Sequence, residues 1–276
     1  MNIEVLKKVE ALCDEAAQAA LAIYRQKDGW QVTAKQDDSP VTAADLAAHK
    51  VLVAGLPEIL NILVLSEESQ LPDFAERQTW QRYWLVDPLD GTKEFISGNG
   101  EFTVNVALIA DGQPVLGVVV VPVTGVVYSA VSGLGAYKNG EPIRCRQLPE
   151  GAHPIVVASR RHGSSEGDKA LANLESHFGG VELMQVGSSL KFCMIAEGKA
   201  DIYPRFAPTC EWDTAAAQAV LAAAGGEVVS VDGCVLGYNH KESLLNPFFV
   251  ALGDTQVPWM DILTNCHPER SEGSRC

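Results

Sequence analysis

Basic charge is what this 276-residue chain most conspicuously lacks: 21 Lys and Arg stand against 35 Asp and Glu, a formal net charge of -14. A nucleic-acid binder usually needs a basic face, so this balance argues against that class. A small phosphorylated substrate is not, because a bound divalent cation reverses the local field. No CxxC pair occurs among the seven cysteines, Cys13, Cys145, Cys193, Cys210, Cys234, Cys266 and Cys276. That spacing argues against a zinc site or a disulfide framework and for a reducing compartment. The first twenty residues carry Glu4, Lys7, Lys8, Glu10, Asp14 and Glu15, so no signal-peptide core is present. An uninterrupted apolar span is missing too. Gly112 to Tyr137 has no charged residue, but Pro114, Gly117, Pro122, Gly125, Gly133 and Gly135 break it into strand-length runs. The expectation is a cytoplasmic protein. Also absent is a P-loop.

What is present begins with Asp87-Pro88-Leu89-Asp90-Gly91-Thr92, directly after Tyr83-Trp84-Leu85-Val86. The apolar run reads as a buried strand, and Pro88 and Gly91 as the turn that ends it. Carboxylates at such a place are desolvated and want cations. A hard cation such as Mg²⁺ prefers oxygen ligands of this kind.

The length suits one large domain or two modest ones. Helical spacing covers residues 3–26, and a second helix runs from Thr42, its N-cap, to about Leu56. Strands are expected at Leu60–Leu65, Tyr83–Val86, Thr103–Ile109, Pro114–Val121 and Val126–Val131. Gln147–Pro154 is the boundary candidate. Beyond it come a strand at Ile155–Ala158, helices at Asp168–His177 and Ser188–Gly198, a strand at Asp201–Tyr203, and an Ala-rich helix at Asp213–Ala224 closed by Gly225-Gly226. This order predicts an α+β half over 1–150 that holds most of the acidic candidates, and an α/β half over 151–263. The polar stretch 264–276 reads as a disordered tail.

Acidic residues recur at element ends. Asp45 lies in a first helical turn, Glu67 and Glu68 end one strand, Asp87 and Asp90 another, and Asp213 opens the Ala-rich helix. Taken singly each is a cap or turn residue. Taken together, Glu67, Asp87 and Asp90 converge if their strands end on one sheet edge. Asp213 then sets a carboxylate beside a helix N-terminus, where phosphate binds. Two Mg²⁺ held there would clamp the attacking and leaving oxygens of a phosphoryl displacement.

The Asp87–Thr92 run resembles the first signature of the inositol monophosphatase superfamily, and Glu211-Trp212-Asp213-Thr214-Ala215-Ala216 its second. Ser66-Glu67-Glu68 and Ser39-Pro40-Val41-Thr42-Ala43-Ala44-Asp45 are similar to its other two elements, in family order. Leu89–Ile96, Asn99–Asn105, Gly187–Cys193, Tyr203–Phe206 and Leu245-Asn246-Pro247 resemble the CysQ-type 3′(2′),5′-bisphosphate nucleotidases. The resemblance implies a layered αβαβα sandwich and removal of the 3′-phosphate from adenosine 3′,5′-bisphosphate to give AMP. It extends to the 5′-phosphosulfate analogue, to lithium sensitivity and to a role in sulfate assimilation. It implies two or three Mg²⁺ held by Glu67, Asp87, the Leu89 carbonyl, Asp90 and Asp213. Thr92 and Asp45 would handle the attacking water, with Glu67 touching it. Glu68 is unassigned, since neighbouring strand residues face opposite ways. Gly91, Gly187, Ser188, Ser189, Lys191, His162 and Arg205 would contact the nucleotide. Peripheral association with the inner membrane is implied as well, although no amphipathic anchor is legible; oligomeric state is open. An inositol or sugar monophosphatase, or an acidic cation-binding module without turnover, stays open beside this reading. An aspartyl-phosphate mechanism fails on spacing, for it needs Asp-x-Asp where this chain has Asp-x-x-Asp.

Overall fold

The structure, a computed structural model, describes residues 2–26, 32–34, 40–159 and 164–264. His162 and nearly all of the 264–276 stretch lie outside the described residues. Five layers stack in the order helices, sheet, helices, sheet, helices.

The first layer is α1 (Ile3–Tyr24) and α2 (Ala43–Ile59). Their apolar stripes, Leu6, Val9 and Cys13 on one and Ala44, Ala48 and Leu52 on the other, are fully buried against the first sheet. Before α2, β1 (Val32–Ala34) pairs antiparallel with β2 (Pro40–Thr42). The first sheet has seven strands in sequential order: β3 (Leu63–Ser66), β4 (Arg82–Asp90), β5 (Thr103–Ala110), β6 (Gln113–Val121), β7 (Val126–Val131), β8 (Gly135–Lys138) and β9 (Glu141–Ile143). Only β3 and β4 run parallel. The β5–β6 hairpin turns through Asp111 and Gly112, both at positive φ, which is the turn that Asp-Gly favours.

The middle layer is α6 (Leu190–Ala196) and α7 (Glu211–Ala223), which pack on each other; α7 lies across β4 to β8. The second sheet orders β11 (Glu182–Gln185), β10 (Ile155–Ala158), β12 (Ile202–Arg205), β14 (Phe249–Leu252) and β13 (Glu227–Ser230). It is mixed: β10 is parallel to β11 and β12, while β14 is antiparallel to both neighbours. Helices α5 (Ser165–Phe178) and α8 (Trp259–Thr264) cover its outer side. The αβαβα sandwich expected from the sequence is the architecture observed.

Three expectations shift. The β3 strand starts at Leu63, not Leu60, because α2 runs on to Ile59 and the Leu60 N–H bonds back to the Leu56 carbonyl. The Ser188–Gly198 helix starts at Leu190, because Ser188 sits at φ 55°, outside helical space. The β4 strand does not end at Val86 but continues through Asp90, and the turn comes only at Gly91. Asp87 pairs with Asn105 and Asp90 with Thr103, so one extra β4 residue is bulged out between them. A bulge re-aims side chains. Here it puts Asp87 and Asp90, three apart, on the same face.

A candidate metal and phosphate site between the sheets

The β4 bulge, the end of β3 and the start of α7 meet at one place. Carboxylate oxygens of Glu67, Asp87 and Asp213 lie within 4.8 Å of one another. Asp87 is 1% exposed; its Oδ1 accepts the Leu89 N–H at 3.0 Å, and its Oδ2 is buried with no hydrogen-bond partner. Burial holds the Asp87 carboxyl well above the usual carboxylate range, and the charges of Glu67, Asp90 and Asp213 push it further. Asp213 is raised by burial and then by Asp90 and Glu67. An all-oxygen donor set, an unpartnered buried carboxylate oxygen and mutual repulsion are what a hard divalent cation relieves. Glu67, Asp87 and Asp213 fit Mg²⁺.

Asp90 stands beside this trio, not in it. Its Oδ2 accepts the Ser188 hydroxyl and the Ser189 N–H, each at 2.6 Å. Leu89 is buried, and its N–H is committed to Asp87. Glu68 is half-buried, and its charge acts on Asp45 and His49.

Asp45 is the N3 acid of a capping box on α2. Its Oδ2 accepts the Thr42 N–H at 2.8 Å and the Thr42 hydroxyl at 2.5 Å. Its Oδ1 accepts the Thr92 hydroxyl at 3.4 Å. Burial raises its carboxyl, and the Thr42 donors oppose that. Thr92 is the first residue of α4 (Thr92–Ser97), after Gly91 at φ 92°, a conformation that favours glycine.

Across the cleft, a cavity of about 110 Å³ is lined by Asp90, Gly91, Ser188, Ser189, Lys191 and Arg205 among others. Lys191 is 6% exposed; its Nζ donates to the Ser188 carbonyl at 2.7 Å and lies 5.4 Å over the Tyr203 ring. Burial lowers its pKa to about 8, with Arg205 adding to that and Asp90, Glu94 and Glu101 opposing it. Arg205 donates from Nη2 to the Pro208 carbonyl at 3.2 Å, while its Nε is buried without a partner. Gly187 packs against Glu94 and Glu101, whose Oε2 accepts its N–H at 2.8 Å, and a Cβ there would come within 2.8 Å of Glu94. A second, more apolar cavity of about 140 Å³ adjoins through Ser159, Tyr203 and Arg205, and is floored by Val156, Val157, Leu171 and Phe206.

The structure therefore gathers Glu67, Asp87 and Asp213, sets Asp90 and the Thr92–Asp45 pair beside them, and faces them with Ser188, Ser189, Lys191 and Arg205. Sequence reasoning gave no role to Tyr203, Glu101, Thr103 and Asn105, although all four lie in stretches that carry the resemblance. A signal for the last two existed: they are the polar, alternate residues of an otherwise apolar strand, Thr103-Val104-Asn105-Val106-Ala107-Leu108.

Comparison with known proteins agrees with this geometry. The chain is 49% identical over 247 residues to the 3′(2′),5′-bisphosphate nucleotidase CysQ of Salmonella typhimurium, covering 89% of this chain and 98% of that one. It is equally similar to the protein of that name from Escherichia coli K12, with the same coverage. The crystal structure of CysQ from Bacteroides thetaiotaomicron superposes with a TM-score of 0.80 at 43% identity, over 91% of this chain and 97% of that one. With the inositol monophosphatase family model matching residues 1–257, which include every acid of the site, this chain belongs to the inositol monophosphatase family.

Proposed function

We propose that this chain is a Mg²⁺-dependent 3′(2′),5′-bisphosphate nucleotidase that hydrolyses the 3′-phosphate of adenosine 3′,5′-bisphosphate to AMP and phosphate, in sulfate assimilation. The observation that carries this reading is the near-half identity to relatives named for that activity along 98% of their length. The site supports it. Two adjoining cavities suit a ligand with two phosphates and a base better than a single-phosphate sugar: Lys191 and Arg205 face the polar one, and apolar side chains floor the other.

Glu67, Asp87 and Asp213 would hold the first metal, with Asp90 and the Leu89 carbonyl completing sites for two or three Mg²⁺. Bound there, Mg²⁺ activates water and neutralises charge on the phosphoryl group. The chain's own residues orient the reaction. Thr92 donates its proton to Asp45 Oδ1, so its lone pairs are free to accept a proton of the attacking water and aim it. Thr42 opposes the upward pull of burial on the Asp45 carboxyl by donating to its other oxygen. Lys191 and Arg205 offset the remaining phosphate charge. Action in the cytoplasm belongs to the same reading; among the described residues no helix is long and apolar enough to cross a membrane.

The test is phosphate release across a panel of adenosine 3′,5′-bisphosphate, its 5′-phosphosulfate analogue, inositol 1-phosphate and fructose 1,6-bisphosphate, with Mg²⁺, EDTA or added Li⁺. Fastest turnover of the nucleotide, lost with EDTA and lowered by Li⁺, is expected. Faster release from inositol 1-phosphate would overturn the substrate, and no release from any of them would leave a cation-binding module.

A further inference from the structure

Asp90 is gripped by a loop from the other half of the chain, and that loop is itself held from below by β5. The Thr103 hydroxyl oxygen lies 2.6 Å from Ser188 Oγ and 2.9 Å from Ser189 Oγ. Ser189 Oγ lies 3.0 Å from Asn105 Oδ1, and Ser188 Oγ 2.6 Å from Asp90 Oδ2. Thr103, Asn105 and Ser189 are at most 2% exposed. Ser188 holds φ 55°, which a serine keeps only where its surroundings impose it.

Four side-chain contacts at hydrogen-bond distance need four protons, and a fifth, longer contact, Ser188 Oγ to the Asp90 carbonyl at 3.2 Å, shares the Ser188 proton. Three hydroxyls supply three, and an ionised Asp90 supplies none. With Asn105 Oδ1 facing Ser189, one contact would be two lone pairs pressed together. Asn105 Nδ2, meanwhile, is buried with no partner. Turning the Asn105 amide over removes the first fault and eases the second. It supplies the fourth proton, and it leaves one N–H and a carbonyl oxygen unpartnered where two N–H groups had been, which costs less.

We infer that Asn105 and Thr103 are positioning residues that start a one-directional hydrogen-bond chain: Asn105 Nδ2 donates to Ser189 Oγ, Ser189 to Thr103, Thr103 to Ser188, and Ser188 to Asp90 Oδ2. The chain delivers a fixed donor to one oxygen of Asp90 and leaves the other for the site. Its effect on metal binding rests on the proposed role of Asp90 as a Mg²⁺ ligand; the direction of the chain does not.

Mg²⁺ affinity is measured by calorimetry on the full chain, without substrate, for wild type, Thr103→Val, Thr103→Ser and Asn105→Asp. Loss of a group that orients a ligand costs about 10-fold to 100-fold in metal affinity. Thr103→Val is expected to lose that much, and Thr103→Ser to regain it. Asn105→Asp is the sharper case. Measured in alkaline buffer, where it is ionised, its carboxylate can only accept, so it captures the Ser189 proton and starves the chain; affinity should fall about 10-fold although the added charge alone would raise it. Wild-type affinity in Thr103→Val, or unchanged or tighter binding in Asn105→Asp, overturns the inference. A neutron map of the wild-type protein decides the direction independently. Deuterons on the Asn105 atom facing Ser189 are expected, and an oxygen there overturns the chain. If wild type binds no Mg²⁺ while the map shows those deuterons, the proposed metal site fails and the chain stands.

Discussion

Asp45 commits Oδ2 to the N-terminus of its own helix and turns Oδ1 to Thr92. Asp213 does the same on α7, where Oδ2 accepts the Cys210 N–H at 2.8 Å while the carboxylate also reaches the Glu67–Asp87 group. Asp87 gives Oδ1 to the Leu89 N–H and keeps Oδ2 for the site. A carboxylate has two acceptor oxygens, so the capping role read from Thr42–Asp45 and the chemical role read from family likeness are compatible. One oxygen anchors the side chain and the other is presented in a fixed direction. The Thr92–Asp45 contact gives a direct prediction. Thr92→Ala removes the group that aims the water, and Asp45→Asn removes the charge that fixes the Thr92 proton. Each should lower kcat by at least about 10²-fold, the scale of positioned acid–base help. Magnesium affinity should stay near wild type, and Thr92→Ser should keep most of the turnover. Steady-state kinetics beside calorimetry checks this; kcat within a factor of about two of wild type would remove the pair from the reaction.

At the scale of elements, long periodic segments were legible and most short strands were not, apart from β10 and β12. Helices α1, α2, α5 and α7 and strands β5 to β7 fall within a few residues of expectation, because each buries a regular stripe or face. Strands β8, β9, β11, β13 and β14 have only three or four residues, too few to show a period. The bulge in β4 was hidden for a related reason. Pro88 and Gly91 read as one turn, whereas pairing with Asn105 and Thr103 carries the strand past Pro88. The closest approach of the two halves was likewise unreadable. Gly117 in β6 lies directly under α7, and a Cβ there would run into the Ala216 carbonyl and come 2.7 Å from the Ala219 methyl. Nothing in Leu116-Gly117-Val118 marks this, because the neighbour is a hundred residues away. Gly117→Ala should therefore push α7 off the sheet, cost about 1–3 kcal/mol in overpacking, and shift Asp213 with it. Urea unfolding should show the loss, and half-activation by Mg²⁺ should need a higher concentration. An unchanged urea midpoint would mean that α7 yields without resistance.

The whole molecule carries its net charge of -14 with an acidic cluster between its two sheets, Asp87 buried and Glu67 and Asp213 half-buried. That arrangement makes stability depend on pH and on metal in opposite senses. Asp87 and Asp213 are held above the usual carboxylate range, by burial first and by their acidic neighbours second. An unfolded chain would return both to about 4. Without metal, the folded state thus binds more protons than the unfolded one between that value and the raised ones. The stability the cluster contributes is complete below the unfolded value and is lost as pH rises through the folded ones. Protein stripped with EDTA should melt at a lower temperature in mildly alkaline than in mildly acidic buffer. Magnesium competes with those protons, so its stabilisation should grow as pH rises, reaching roughly 2.7 kcal/mol at a hundred times its dissociation constant. Asp87→Asn separates the cluster from the rest of the surface charge. The Asn oxygen can still accept the Leu89 N–H, and its NH₂ replaces the unpartnered charged oxygen and faces Glu67 and Asp213. This variant should melt higher than wild type in EDTA, lose most of the pH dependence and gain little from Mg²⁺, while turnover falls with the lost ligand. Scanning calorimetry across pH, with and without Mg²⁺, reads all three. Equal melting of stripped wild type at both ends of the pH range, or an Asp87→Asn protein that melts lower, would show that repulsion among these buried acids does not limit the stability of the fold.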